Sequence, residues 1–263
     1  MPRVRLDSLL AERGLFSSRS RAAAAVLAGD VRVGPGHARA EKPGQLVAED
    51  VAVEVTGPPP FVSRGGIKLA NALDALGLGV EGAHALDVGA STGGFTDCLL
   101  QRGAAHVVAL DVAYGELDWK IRQDARVTVL ERTNARALEP AALPYRPDLV
   151  VIDVSFISLR TILPAVLGTV ADAWDALAMV KPQFEVGRER LGKGGVVRDP
   201  ELRRAMVAEV AEAARGLGAA VAGFAPSGLP GPAGNRETFA WLTEGGRAGA
   251  LGDVRAALAG VDV

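Results

Sequence analysis

From residue 64 onward, short apolar runs recur at 84–88, 106–110, 127–130, 148–152, 177–180, 219–224 and 237–242, with stretches of helical periodicity between most of them. Runs this short, bounded by turn formers, suit strands covered on both faces. Strands that alternate with helices wind into a mostly parallel sheet, so the spacing predicts an α/β fold. The last two runs are joined by PSGLPGPAGN (226–235), too rich in proline and glycine for a helix, and are expected to pair antiparallel. Ahead of them one helix is well delimited: Asp199 caps it, Pro200 and Glu201 fill its first turn, and Gly216 or Gly218 ends it.

The first 57 residues have a different rhythm. Leu6, Leu9 and Leu10 make a short helical stripe that Gly14 ends; Ser17 or Ser18 caps a second helix that stops at Gly29. Strands are expected at Val31–Val33 and in the alternating VAVEV at 51–55, and GPPP at 57–60 marks a boundary. The expected organisation is a small α+β domain at 1–57, a linker at 58–63 and an α/β domain at 64–263. The formal charge of −2 conceals a basic start, with Arg3, Arg5, Arg13, Arg19 and Arg21 set against Asp7 and Glu12. Such a face can follow an RNA backbone, and it can equally be a solvated helix surface.

Several chemistries are excluded by composition. The chain has one cysteine and three scattered histidines, which rules out a disulfide framework, a cysteine zinc site and a histidine triad. Catalysis must therefore rest on lysines and carboxylates, and no metal is expected. No apolar run approaches the roughly 20 residues of a membrane span. MPRVRLDSLL lacks the apolar core of a secretion signal, so a cytoplasmic location is expected.

Ligands of wound sheets bind at the carboxyl ends of the strands. DVGASTGGFTD (87–97) turns there from strand to helix on three glycines. A carboxylate at Asp87 would repel a diphosphate but attract the ammonium and sulfonium of S-adenosylmethionine (SAM). Asp111 closes the next strand, where an acid takes ribose hydroxyls. The pair favours SAM over NAD, although glycines so placed also fit a plain tight turn. Asn134 in ERTNAR could bond an adenine or cap its own turn. Asp153 and Lys181 end the fourth and fifth strands, Glu237 begins the last, and Lys68 lies on the helix before the first, held inward by Ile67 and Leu69. Lys181 stands between Ala-Met-Val and Pro-Gln-Phe, where an idle ammonium would be costly. The segment 183–198, with Arg188, Arg190, Lys193 and Arg198, reads as an RNA-gripping lid or a solvated loop, and Phe61 as domain-junction packing or a relay of RNA binding.

Taken together, GASTGGFTD, ERTNAR, DVSFISL, VKPQFEVG, GPAGN and VSRGGIKL resemble the TlyA family. These are haemolysin-named ribosomal RNA 2′-O-methyltransferases whose catalytic domain is related to FtsJ-like RNA methyltransferases. The resemblance runs through nearly the whole chain, and the N-terminal helix-turn-helix-strand pattern is similar to the alpha-L RNA-binding motif. It implies a seven-stranded Rossmann-like methyltransferase sheet, and a catalytic Lys-Asp-Lys-Glu tetrad carried onto Lys68, Asp153, Lys181 and Glu237. It also implies SAM binding by Gly89, Ala90, Ser91, Gly93, Gly94, Phe95 and Asp111, and Asp87, Thr92 and Asn134 are expected to join them. RNA contacts are expected from Arg3, Arg5, Arg13, Arg19, Arg21, Arg64, Arg188 and Lys193, with ribosomal RNA or subunits as the partner, cytidine ribose as the acceptor, and a monomer as the working unit. Two other classes fit less of the chain. A ribosome-assembly factor without catalysis needs neither the tetrad nor the cofactor turn, and a pore-forming haemolysin needs a membrane-active amphipathic element.

Overall fold

In the N-terminal region, β1 (Arg3–Arg5) runs directly into α1 (Leu6–Glu12), followed by α2 (Arg19–Ala28), β2 (Val31–Val33), β3 (Ala38–Arg39), β4 (Leu46–Ala48) and β5 (Val53–Val55). The computed structural model describes residues 3–16, 18–56 and 60–263. β1 pairs antiparallel with β4, and β3, β2 and β5 form a second small sheet in that order. The stripe of Leu6, Leu9 and Leu10 packs with Phe16, Ala22, Val26, Val31 and Val47, so this region has an apolar cluster drawn from its own residues. Ser18 caps α2, its hydroxyl accepting from the Arg21 N–H at 3.2 Å, and Gly29 ends the helix at φ +89°. Ser17, the alternative cap, lies outside the described residues, as do residues 57–59 at the expected boundary. Sequence reading missed β1, β3 and β4, because two or three residues are too few to display an alternation.

The remainder builds α3 (Arg64–Leu76), β6 (His84–Val88), α4 (Gly94–Gln101), β7 (His106–Leu110), α5 (Trp119–Arg122), β8 (Val127–Leu130), β9 (Leu149–Ile152), α6 (Leu159–Leu167), β10 (Asp175–Val180), α7 (Pro182–Glu185), α8 (Pro200–Gly216), β11 (Ala219–Pro226), β12 (Thr238–Glu244) and α9 (Val254–Leu258). Seven strands form one mixed sheet in the order β11-β12-β10-β9-β6-β7-β8. β6 to β10 are mutually parallel, and β12 is antiparallel to both β10 and β11. Alternate residues feed two cores: Leu86, Val88, Val150 and Ile152 face one helical layer, while Ala85, Leu149 and Val151 face α3 and α4. The strand order reverses between β6 and β9, which opens a crevice at their carboxyl ends.

Three of the seven expected runs coincide with strands, and the other boundaries shift by one or two residues. β10 reaches back to Asp175, β11 extends to Pro226, and β12 begins at Thr238, leaving Glu237 immediately before it. The segment 183–198 differs more from expectation. It folds as α7 and two short 3-10 turns, and Val186 and Val197 pack on Met206 of α8. Buried Asn235 clamps its far end, accepting from the Val197 N–H at 2.9 Å and donating to the Gly195 carbonyl at 2.8 Å. The glycines disguised this anchoring, since its partner lies about forty positions away.

Candidate functional site

Four ionisable side chains from distant parts of the chain meet at the crevice. Lys181, just after β10, brings its ammonium 2.5 Å from Asp153 Oδ1 and donates to the Ser155 hydroxyl at 2.9 Å. Lys68, on α3, donates to Glu237 Oε2, and both side chains are buried. All four line one cavity of about 440 Å³, together with Arg64 and the loop from Gly89 to Thr92. Two cations facing two anions offset one another's burial cost, and the set tolerates a low dielectric only while every member is present.

Close helix packing makes this meeting possible. A Cβ on Gly66 would lie 2.4 Å from Phe61 Cγ and 2.7 Å from the Gly94 carbonyl oxygen, and one on Gly94 would lie 2.1 Å from Ser63 Oγ. Only glycines let α3 approach the start of α4 closely enough for Lys68 to reach the crevice. Gly94 thus serves packing as well as lining the cleft. Phe61 is buried in the core under α3, which answers to the packing reading, and the Arg21 guanidinium sits 5.7 Å above its ring.

A second cavity, of about 460 Å³, adjoins the first through Gly89, Ser91 and Asp153. Leu110, Val112, Ala135, Ile157 and Ile162 form apolar walls, with Asp111 and Asn134 on its lining. Asp111 accepts from the Ser91 N–H at 2.7 Å and the Ala113 N–H at 2.8 Å, which fixes its carboxylate while each oxygen keeps a free lone pair. Asn134 caps the turn at 135–137 by accepting from the Arg136 N–H at 3.0 Å, and its side chain still borders the cavity.

Asp87 and Gly93 depart from expectation. Neither lines these cavities. Gly93, at φ +94°, lies against Leu117 and Ile121. Asp87 is fully buried beneath the glycine loop, where Oδ2 accepts from the Thr96 hydroxyl at 2.7 Å and Oδ1 has no partner among the described residues. Burial, reinforced by Asp153 and Asp111, pushes its carboxyl up to about 7 against the opposing Thr96 bond. The period-two alternation of β6 turns it away from the crevice and toward Thr96 of α4.

The basic residues divide by what they touch. Arg5 and Arg19 clasp buried Asp7, at 2.8 Å and 3.1 Å, and hold its carboxyl well below the usual range. Arg13 is exposed, and its guanidinium also donates to the Val51 carbonyl at 2.7 Å and the Glu49 carbonyl at 2.5 Å, which ties α1 to the strand region. Arg3 is exposed. Arg64 stands at the cleft rim and donates to the Pro230 carbonyl at 2.9 Å. The side chains of Arg188 and Lys193 lie outside those described.

Sequence reading passed over a third cavity and its walls. It measures about 650 Å³, shares Lys181 and Glu237 with the cleft, and is lined by Phe156, Gln183, Phe184, Leu191 and Asn235. Phe156 is 92% exposed at φ +64°, with its ring 5.2 Å from that of Phe184. An aromatic three residues beyond Asp153 was the available signal, but its exposure is set by the fold and not by DVSFISL itself.

The chain is also similar to known proteins. The family model for FtsJ-like methyltransferases matches residues 61–244. The 16S/23S rRNA (cytidine-2′-O)-methyltransferase TlyA of Mycobacterium tuberculosis is 52% identical over 242 residues, covering 91% of this chain and 90% of that one. The chain belongs to the TlyA family. A second TlyA-like relative, a putative rRNA methyltransferase YqxC of Bacillus subtilis, is 45% identical over 89% of this chain and 83% of its own length. A solved structure described as a putative hemolysin from Streptococcus thermophilus superposes with a TM-score of 0.72 at 39% identity, covering 98% of this chain and 95% of that one. Like its TlyA relatives, the protein is a methyltransferase. The haemolysin names persist in the family, and among the described residues no helix is long and apolar enough to cross a membrane.

Proposed function

We propose that this protein is a SAM-dependent methyltransferase of the 2′-hydroxyl of cytidine in ribosomal RNA. The observation that carries the reading is the lysine-carboxylate quartet, set where a cavity of cofactor size meets two others. The relatives' names supply the acceptor. The donor set suits SAM: Asp111 keeps lone pairs for ribose hydroxyls, the apolar walls suit an adenine, and the unpartnered Asp87 oxygen beneath the loop, with Asp153 nearby, favours cations. When bound, SAM supplies a methyl group activated on a sulfonium.

A ribose hydroxyl is a weak nucleophile at neutral pH and must shed its proton as it attacks. The Lys181 ammonium, held by Asp153 and Ser155, would donate a hydrogen bond to the 2′-oxygen and stabilise the growing oxyanion, and the proton shed by the hydroxyl would pass to water at the open cleft. Lys68 and Glu237 would fix the ribose from the opposite wall. A target base swung out of its helix would enter the third cavity, where the exposed Phe156 ring offers a stacking surface. Residues 1–57 would form an RNA-binding unit, joined through 58–63 to a methyltransferase unit at 64–263, with Arg3, Arg19, Arg21 and Arg64 toward the phosphates. The partner is then ribosomal RNA or a subunit, met in the cytoplasm by a monomer.

Radiolabelled SAM, purified protein and unmodified ribosomal subunits test this directly. Label should appear as 2′-O-methylcytidine, and Lys181→Ala and Asp153→Ala should each lower transfer at least about 100-fold with circular dichroism unchanged. Subunits that bind tightly and gain no label would overturn the enzymatic reading.

A further inference from the structure

Asp7 has the wrong sign for its surroundings. It is buried in the N-terminal region among arginines that would face RNA, and a carboxylate there repels phosphate. Its partners show what it holds. Oδ1 accepts from the Ser8 N–H at 2.8 Å and from Arg5 Nε at 3.1 Å, while Oδ2 accepts from Arg5 Nη2 at 2.8 Å and lies 3.1 Å from Arg19 Nε. Arg5 ends β1 and Arg19 opens α2, so one carboxylate gathers two guanidiniums from separate elements.

Both arginines keep donors for a ligand. A guanidinium carries five N–H groups. Arg5 gives Asp7 only its Nε–Nη2 edge and Arg19 only its Nε, and neither has a further acceptor among the described residues. Their side chains are 47% and 57% exposed, and the two nitrogens that meet at Oδ2 lie within about 6 Å of each other. Oxygens of one phosphate can span such a pair. Gly44 completes the seat. The Leu6 and Asp7 N–H groups donate to the Gln45 and Pro43 carbonyls, each at 2.9 Å, which sets the turn at 43–45 beside Arg5. A Cβ on Gly44 would lie 2.8 Å from Arg5 Nη2 and 2.9 Å from Nη1, so the guanidinium rests against bare backbone. Two long side chains ordered before RNA arrives need not be ordered by it, and the cluster keeps one net positive charge.

We propose that Asp7 is a positioning residue for RNA, fastening Arg5 and Arg19 into a bracket for a single backbone phosphate. The assignment rests on the reading of residues 1–57 as an RNA-binding unit and gives that unit a built phosphate site. It reverses the sign expected from charge alone, because deleting this negative charge should weaken RNA binding.

Filter binding of the full chain to radiolabelled ribosomal RNA transcript makes the test. Asp7→Asn should raise Kd about 10-fold although the surface becomes more positive. Gly44→Ala changes no charge and should shift Kd in the same direction by displacing Arg5. In a chain that already carries Arg5→Ala and Arg19→Ala, Asp7→Asn should no longer weaken binding. Unchanged or tighter binding by Asp7→Asn alone would overturn the assignment. Equal weakening with and without the two arginines would overturn it as well, since Asp7 would then support only the fold. Should Asp7→Asn fail to fold, Gly44→Ala decides, and a wild-type Kd in that variant would sink the bracket. Failure of the wild-type chain to bind the transcript would instead remove the RNA-binding reading and the bracket with it, a result distinct from binding that Asp7→Asn leaves unaltered.

Discussion

Asp87 illustrates how a single carboxyl can carry both fold and function. It is fully buried, bonded on one side only to Thr96, and pushed up to about 7 chiefly by burial. An acid raised in this way binds its proton more tightly in the native state than in the unfolded one, where it releases near 3.8. Its contribution to stability is therefore complete below that value and is lost as pH rises through about 7. Replacing Asp87 with Asn removes the contribution's pH dependence. The melting temperature of Asp87→Asn relative to wild type, followed by scanning fluorimetry from pH 5 to pH 8 without cofactor, should climb with pH. If SAM binds as proposed, the same substitution should weaken it above about pH 7, where it deletes a negative charge beneath the loop. A difference in melting temperature that stays flat with pH would place Asp87 outside the titration. Cys98 shows the contrast: burial pushes its thiol up to about 12, and nothing in the crevice uses it.

At the scale of elements, the active geometry depends on clips that join strand-end loops. Buried Glu185, closing α7, accepts from the Ser158 hydroxyl at 2.5 Å and the Leu159 N–H at 2.7 Å. It thereby ties the turn after Lys181 to the start of α6, which follows Asp153. Asn235 does the same for the segment at 195–197, two residues before Glu237. Loss of the latter clip, in Asn235→Ala, leaves a backbone N–H and a carbonyl without partners and should cost about 1–3 kcal/mol. Hydrogen exchange should speed up across 186–198 while the central strands keep their protection. Uniform loss of protection through the sheet would show that the segment has no separate stability.

For the whole molecule, net charge is a poor guide to RNA binding. The sequence pI is about 6.0, yet the N-terminal region concentrates arginines, and the structure distinguishes those that look outward from those that hold the chain together. Exposed Arg3 has no ion pair among the described residues and exposed Arg21 lies over Phe61, whereas Arg13, though exposed, donates to two backbone carbonyls. Arg3→Ala and Arg21→Ala should each weaken RNA binding and reduce the slope of log affinity against log salt by about one. Arg13→Ala should leave that slope unchanged and lower the stability of the N-terminal region instead. Filter binding across a salt series separates the two outcomes, and a full slope loss in Arg13→Ala would restore it to the RNA face.

The sheet was legible because its evidence is local. Apolar runs, proline and glycine between them, and caps such as Ser18 and Asp199 act within a few residues, so element type and the antiparallel last pair follow from the sequence alone. Motif residues at strand ends were legible as well, since a wound sheet delivers every strand end to one edge. Pairings across the fold were not. Lys68 with Glu237, Asn235 with Val197 and Arg13 with Val51 join residues separated by 169, 38 and 38 positions. No local pattern encodes such partners, because they are selected by packing after collapse. The depth of Asp87 and the exposure of Phe156 were decided there too, since burial and hydrogen-bond satisfaction are properties of surroundings that only the assembled molecule possesses.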